Sequence, residues 1–200
     1  MSGAVFLDRD GVINENRADH VKSLAEFVVL PGALEALALL RRTGLPVIVV
    51  SNQSAINRGL VSWDTVSAIT RELCARAEAA GGRIEAVLTC PHRPDVGCAC
   101  RKPRPGLLHQ AACRLGVELA DCTMIGDALS DVQAALAVGA QPLMVLTGRG
   151  REQAALLEDA LLASVPVFDD LLAAARWVFE REQGKRSADR NPLRDGLPSL

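Results

Sequence analysis

The chain has 200 residues, 49% of them hydrophobic, which suits one globular domain with a sizeable core. Its formal net charge of −2 offers no global attraction to nucleic acid or an anionic membrane, so any affinity for phosphate must be local. The longest apolar stretches are far too short to span a bilayer and the chain opens without a basic segment followed by an apolar one, so a cytoplasmic, monomeric protein is expected.

Residues 4–7 form an apolar run that reads as a first strand and delivers Asp8-Arg9-Asp10-Gly11. Successive strand residues point to opposite faces, so acids at i and i+2 at a strand's exit share a face and can converge on one metal or one phosphate. Gly11 lets the chain turn away. Taken alone, the tetrapeptide fits a polar turn equally well. A polar loop over residues 14–22 precedes a helix opened by Pro31-Gly32, with Leu34, Leu37, Ala38 and Leu40 at helical spacing and Gly44 as its stop. A second strand over 46–50 ends in Ser51-Asn52-Gln53. Val66, Ile69, Leu73 and Ala77 mark a helix over 62–80, ended by Gly81-Gly82.

A third strand is expected over 84–88, a helix over 106–115, and a fourth strand over 122–125 that ends in Gly126-Asp127, with Asp131 four residues on. Further on lie a helix over 132–138, a strand over 142–146, a helix over 152–162, an edge strand over 165–168 that tolerates Pro166, and a helix over 170–182. Strand and helix alternate throughout. The expected fold is therefore α/β, a doubly wound, mostly parallel Rossmann-like sheet with helices on both faces. Residues 1–182 make one domain. From 183 to 200 the periodic apolar face is lost, and a disordered tail is expected.

Ligand crevices in such sheets lie beyond the carboxyl ends of the strands, so the polar groups at these strand ends would meet. They suit phosphoryl chemistry. Hydrolysis of a phosphate monoester needs accelerations of up to roughly 10²¹-fold, obtained by positioning and charge neutralisation. One carboxylate can attack phosphorus while a second moves the proton, and Asp8 and Asp10 fit those roles. Mg²⁺ requires only one or two carboxylates beside the substrate, and Asp127 is a natural additional ligand. The Ser51 hydroxyl and Lys102 ammonium can meet the phosphoryl oxygens.

Cys90-Pro91-His92 and Cys98-Ala99-Cys100 offer three thiolates and one imidazole, a set that matches a closed tetrahedral Zn²⁺ site and so a structural role. The loop over 90–100 runs straight into Arg101-Lys102. Cys74, Cys113 and Cys122 fall at helix or strand positions and read as core residues. His20 reads as a solvated loop residue and His109 as a helix-surface residue.

The four strand-end motifs, in this order, resemble those of the haloacid dehalogenase superfamily. The resemblance implies Asp8 as nucleophile, Asp10 as general acid/base, and Mg²⁺ held by Asp8, Asp10 through its backbone carbonyl, and Asp127. It places Ser51, Asn52 and Lys102 at the phosphoryl group, with Asp131 orienting the metal's water shell or Lys102. Cys-Pro-His followed by Cys-x-Cys-Arg-Lys-Pro resembles the zinc-containing branch shared by heptose-bisphosphate and histidinol-phosphate phosphatases. That branch implies a phosphorylated sugar or amino-alcohol substrate, recognised by Gln53, Ser54, Arg101 and the loop around residues 16–19. The 7-phosphate of a heptose 1,7-bisphosphate is the expected target, with histidinol phosphate or another small monoester as alternative and a non-catalytic zinc-stabilised binding module as the remote one. Only about forty residues separate Asp10 from Ser51, so no cap domain fits and loops must exclude water.

Overall fold

The computed structural model describes residues 3–157 and 165–189. Short apolar runs rich in valine and isoleucine pair into a parallel sheet, as β-branched residues buried on both faces do. The strands are β1 (Val5–Leu7), β2 (Val47–Asn52), β3 (Ala86–Cys90), β4 (Thr123–Gly126), β5 (Gln141–Val145) and β6 (Val167–Phe168). Their order across the sheet is β3-β2-β1-β4-β5-β6. β1 lies between β2 and β4, Val5 pairing with Val47 on one side and Thr123 on the other.

Alternation along β1 decides which helices cover which face. Val5 and Leu7 pack with α1 (Ala33–Arg42), α2 (Trp63–Ala79) and α6 (Leu171–Asp189). Phe6 points the other way, with Ile48 and Val50, onto α3 (Gly106–Leu115) and α4 (Leu129–Leu136). A short α5 (Gly150–Ala154) follows β5. Ser62 starts α2 by accepting a 3.1 Å bond from the Thr65 amide, a cap worth about 1 kcal/mol. Among the described residues no helix is long and apolar enough to cross a membrane.

The expected architecture is present, with shifted boundaries. β2 runs on through Ser51 and Asn52, and β3 lies two residues later than expected, so that Cys90 ends a strand. α4 begins three residues earlier, which places Asp131 in its first turn. The expected helix over 152–162 is seen only as α5, and residues 158–164 lie outside the described ones.

The disordered tail needs correction. α6 continues through Asp189, so residues 183–189 are helical, and only residues 190–200 lie outside the described ones. The anchor is tertiary: the Arg186 guanidinium bonds the Thr43 carbonyl at the end of α1, and Arg42 sits 4.8 Å over the Phe179 ring. A guanidinium at a helix C-terminus also meets the negative end of the helix dipole. The loss of apolar periodicity after 182 gave no sign of either contact.

Candidate active site

The chemical groups of interest gather at the carboxyl ends of the strands. Asp8 follows β1, its amide bonded to the Ile125 carbonyl at 2.9 Å. Asp127 follows β4, and Asp131 stands in the first turn of α4, where its Oδ2 accepts the Ala128 amide at 3.1 Å. That bond caps the helix and fixes the side chain. Ligand oxygens of Asp8, Asp127 and Asp131 all lie within 4.8 Å of one another.

Lys102 enters this cluster from the loop after β3. Its ammonium sits 2.9 Å from Asp8 Oδ1 and 2.7 Å from Asp131 Oδ1, and it donates to the Val50 carbonyl at 2.7 Å. The side chain is only 2% exposed, so the ion pairs are little screened by water. Burial works against the charge on Lys102, yet Asp131 and Asp8 outweigh it and raise its pKa, so the lysine stays cationic. Asp8 is pushed up to about 7, first by burial and then by its acid neighbours, with Lys102 opposing. Burial likewise raises Asp127 to about 6.

Three carboxylates against one ammonium leave two negative charges unbalanced in a buried site, which a divalent cation would neutralise. The donors fit one. Asp127 Oδ1 is buried without a hydrogen-bond partner among the described residues, while its Oδ2 is held by the Arg149 amide at 2.8 Å. One oxygen is thus pinned by the backbone and the other aims its lone pairs into the cluster. Hard oxygen donors of this kind suit Mg²⁺.

Asp10 departs from the expected geometry. It lines the same cleft as Asp8, but its carboxylate stands outside the three-acid cluster. It turns to Arg9, which donates from Nη2 to both carboxylate oxygens at 3.0 Å, and it also accepts from Asn14 Nδ2 at 2.8 Å and from Gln53 Nε2. The shared-face argument fails because the strand ends at Leu7, before either acid. An Asp10 contribution to the metal through its side chain is therefore not what this geometry offers.

Ser51 also lies elsewhere than expected. Its hydroxyl is buried and accepts from Gln53 Nε2 at 2.7 Å, so that Gln53, not Ser51, faces the cleft. Asn52 uses both ends of its amide on the Lys102 backbone, donating to the carbonyl at 3.1 Å and accepting from the amide at 3.2 Å. It holds the lysine loop against β2. Ser54 and Arg101 line the cleft, and the Arg101 guanidinium donates to the His92 carbonyl at 3.1 Å.

The loop before Arg101 gathers its four metal-type donors. Sulfur separations among Cys90, Cys98 and Cys100 are 3.2–3.6 Å, and His92 Nδ1 lies 3.3 Å from the Cys100 sulfur. These residues form a group that could hold a metal ion. Burial opposes charge on the Cys98 thiol, but bonds from Cys100 and the Arg101 amide bring it down to about 7. The other three cysteines divide: Cys122 is buried, Cys74 half-buried, and Cys113 exposed on α3 rather than in the core. His109 is exposed on that helix as expected. His20 is not a plain solvated residue: it lines the cleft, half-buried, with φ at 67°.

Two contributors had no signal at the sequence level. Arg9 is fully buried between two acids, whereas an arginine after a strand reads as a polar spacer. The segment over 147–149 acts chiefly through backbone. Thr147 Oγ1 donates to the Gly11 carbonyl at 2.6 Å, and a Cβ at Gly11 or Gly148, both at positive φ, would overlap the Asp127 carboxylate. The resulting cleft, about 390 Å³, is of ligand size.

The strand-end acids, the buried lysine and the parallel sheet define a hydrolase class, and the comparisons agree. A haloacid dehalogenase-like hydrolase profile matches residues 4–136, and a HAD-hydrolase-like profile matches residues 99–174. The chain belongs to the haloacid dehalogenase-like hydrolases. Within that family it is similar to the D-glycero-beta-D-manno-heptose-1,7-bisphosphate 7-phosphatase of Pseudomonas putida, with 42% identity over 172 residues, 86% of this chain and 97% of that protein. The Bordetella bronchiseptica protein of the same name is 40% identical over 176 residues, covering 88% and 97%. A crystal structure of D,D-heptose 1,7-bisphosphate phosphatase from B. bronchiseptica, with magnesium and phosphate, aligns at a TM-score of 0.84 and 39% identity, over 90% of this chain and 99% of that one.

Proposed function

We propose that the chain is a Mg²⁺-dependent phosphatase that removes the 7-phosphate of D-glycero-D-manno-heptose 1,7-bisphosphate. The observation that carries the chemistry is the buried Asp8-Lys102-Asp131-Asp127 cluster. The substrate is supported by the similarity to the heptose-bisphosphate phosphatases over 86–88% of the chain.

Asp8 attacks phosphorus, and the bond from phosphorus to the sugar oxygen breaks as Asp10 gives that oxygen its proton. Asp10 then takes a proton from water, which attacks the phosphorus on Asp8 and releases inorganic phosphate. Arg9, Asn14 and Gln53 aim the Asp10 carboxylate for both transfers. Lys102 meets the charge on the phosphoryl oxygens, and its backbone is kept in place by Asn52. Asp8, Asp127 and the Asp10 backbone carbonyl would hold Mg²⁺, which offsets the repulsion between carboxylate and phosphate and keeps Asp8 ionised.

Cys90, His92, Cys98 and Cys100 would hold a structural Zn²⁺, for which three sulfurs and one nitrogen at these separations are a closed donor set. The ion would stiffen the loop that carries Arg101 and Lys102. Free cysteines fit a cytoplasmic enzyme.

Steady-state kinetics with Mg²⁺ test the substrate. The expected kcat/KM for heptose 1,7-bisphosphate exceeds that for histidinol phosphate by at least about tenfold. Parity between the two would overturn the assignment.

A further inference from the structure

The cations around the cleft differ in what already holds them. Arg17 lies beside Asp19 and Glu26, and Arg101 gives one donor to the His92 carbonyl. Lys102 is spent on the acid cluster. Arg149 is placed on other terms. Its backbone amide, not its guanidinium, makes the bond to Asp127, while the side chain is 52% exposed and lines the cleft beside Ser130. The nearest carboxylate contact of that guanidinium is Nε at 3.9 Å from Asp127 Oδ2, beyond hydrogen-bond length.

The backbone beneath Arg149 is tied to the turn at Gly11. Thr147 is bonded to the Gly11 carbonyl, and Gly148 packs directly on Gly11. A half-exposed guanidinium lining the cleft, on a backbone pinned at Thr147 and Gly148, is suited to bidentate recognition of a phosphate. The phosphoryl group that reacts must touch Asp8 and Lys102 on the floor, and those are buried. An anion at the rim belongs to a different part of the same substrate.

We infer that Arg149 is a specificity-determining residue that receives the second phosphate of the substrate, the one left on the product. The inference rests on the bisphosphate-phosphatase reading above. It accounts for a cation that the hydrolytic steps do not use. It also explains why the loop after β5 reaches across to Gly11: one segment orients Asp127 by its amide and selects the substrate by its side chain.

Kinetics on Arg149→Ala and Arg149→Lys, with heptose 1,7-bisphosphate and p-nitrophenyl phosphate at saturating Mg²⁺, test this. In Arg149→Ala the ratio of kcat/KM for the bisphosphate to that for p-nitrophenyl phosphate is expected to fall about 10- to 100-fold, mainly through KM. Arg149→Lys should recover part of the ratio, since charge survives and the fork does not. Thermal melting checks that each variant is folded, and Arg149→Gln replaces the alanine variant should that one not fold. Parallel losses on both substrates would place Arg149 at the reacting centre, and an unchanged ratio would leave it without a role; either result overturns the inference. If the wild type shows no preference for the bisphosphate, the bisphosphate assignment falls and this inference with it. If the wild type prefers it and the variants do too, only the inference falls.

Discussion

The floor of the cleft and its rim are built on opposite terms. On the floor, Asp8, Asp127, Asp131 and Lys102 are buried; Lys102 holds Asp8 and Asp131 at 2.9 and 2.7 Å, and the Arg149 amide holds Asp127 at 2.8 Å. At the rim, Asn16, Arg17, His20, Arg101 and Arg149 belong to loops; Asn16, Arg17 and Arg149 are exposed, and His20 and Arg101 are half-buried. Charges on the floor act in a low effective dielectric, where a missing partner is expensive. Those at the rim are screened and individually weak, so they choose among ligands without determining whether the site forms. Chemistry is thereby insulated from changes in substrate preference.

Three measurements would break or sharpen that contrast. The largest effect is expected on the floor: Asp8→Asn keeps the side chain's shape but removes the nucleophile, and kcat should fall at least about 10³-fold. Retention of half the activity would mean that Asp8 is only a ligand. An intermediate effect is expected where rim and floor are joined. Cys98→Ser, or zinc removal by a chelator, should lower Tm by about 5 °C or more and raise KM more than it lowers kcat. Elemental analysis that finds no zinc in the purified protein would remove the basis for this.

The smallest effect is a dependence on pH. Asp8 is raised to about 7 in the folded, cation-free protein, so between pH 4 and 7 the folded state binds more protons than the unfolded chain. This group therefore lowers the stability of the cation-free protein as pH rises through that window, and the loss is complete above 7. Mg²⁺ must displace the proton at pH 6 but not at pH 8. The rise in Tm on adding Mg²⁺ should be about 5 °C at pH 8 and less than half of that at pH 6. An equal rise at both values would show that Asp8 is already ionised without the cation.

Residues whose position follows from the convergence of strand ends were legible from sequence. Asp8, Lys102, Asp127 and Asp131 needed only apolar runs and the rule that such strand ends converge, and the Cys/His loop needed only donor types and spacing. The cover over Ser51 was not legible, because the residue lies inside β2 and Gln53 two residues on bonds its hydroxyl and lines the cleft. Arg9 escaped notice because its meaning depends on burial, which no local pattern revealed. The loop over 147–149 escaped because an amide and a missing Cβ do its work, and neither has a residue-type signature. The end of α6 depends on Arg186 finding Thr43, a contact across 143 positions of sequence.

The latch between Gly11 and the segment over 147–149 has a consequence for the order in which a growing chain becomes competent. Asp8, Lys102, Asp127 and Asp131 have all been synthesised before Thr147 emerges, yet until then no amide holds Asp127 Oδ2 and nothing covers Gly11. The acids thus wait, unfinished, for a segment made almost 140 residues after Gly11. A nascent chain carries the charges of the site long before it has their arrangement, and the last strand to join before the latch, β5, is the one that turns a cluster of carboxylates into a defined place for a cation.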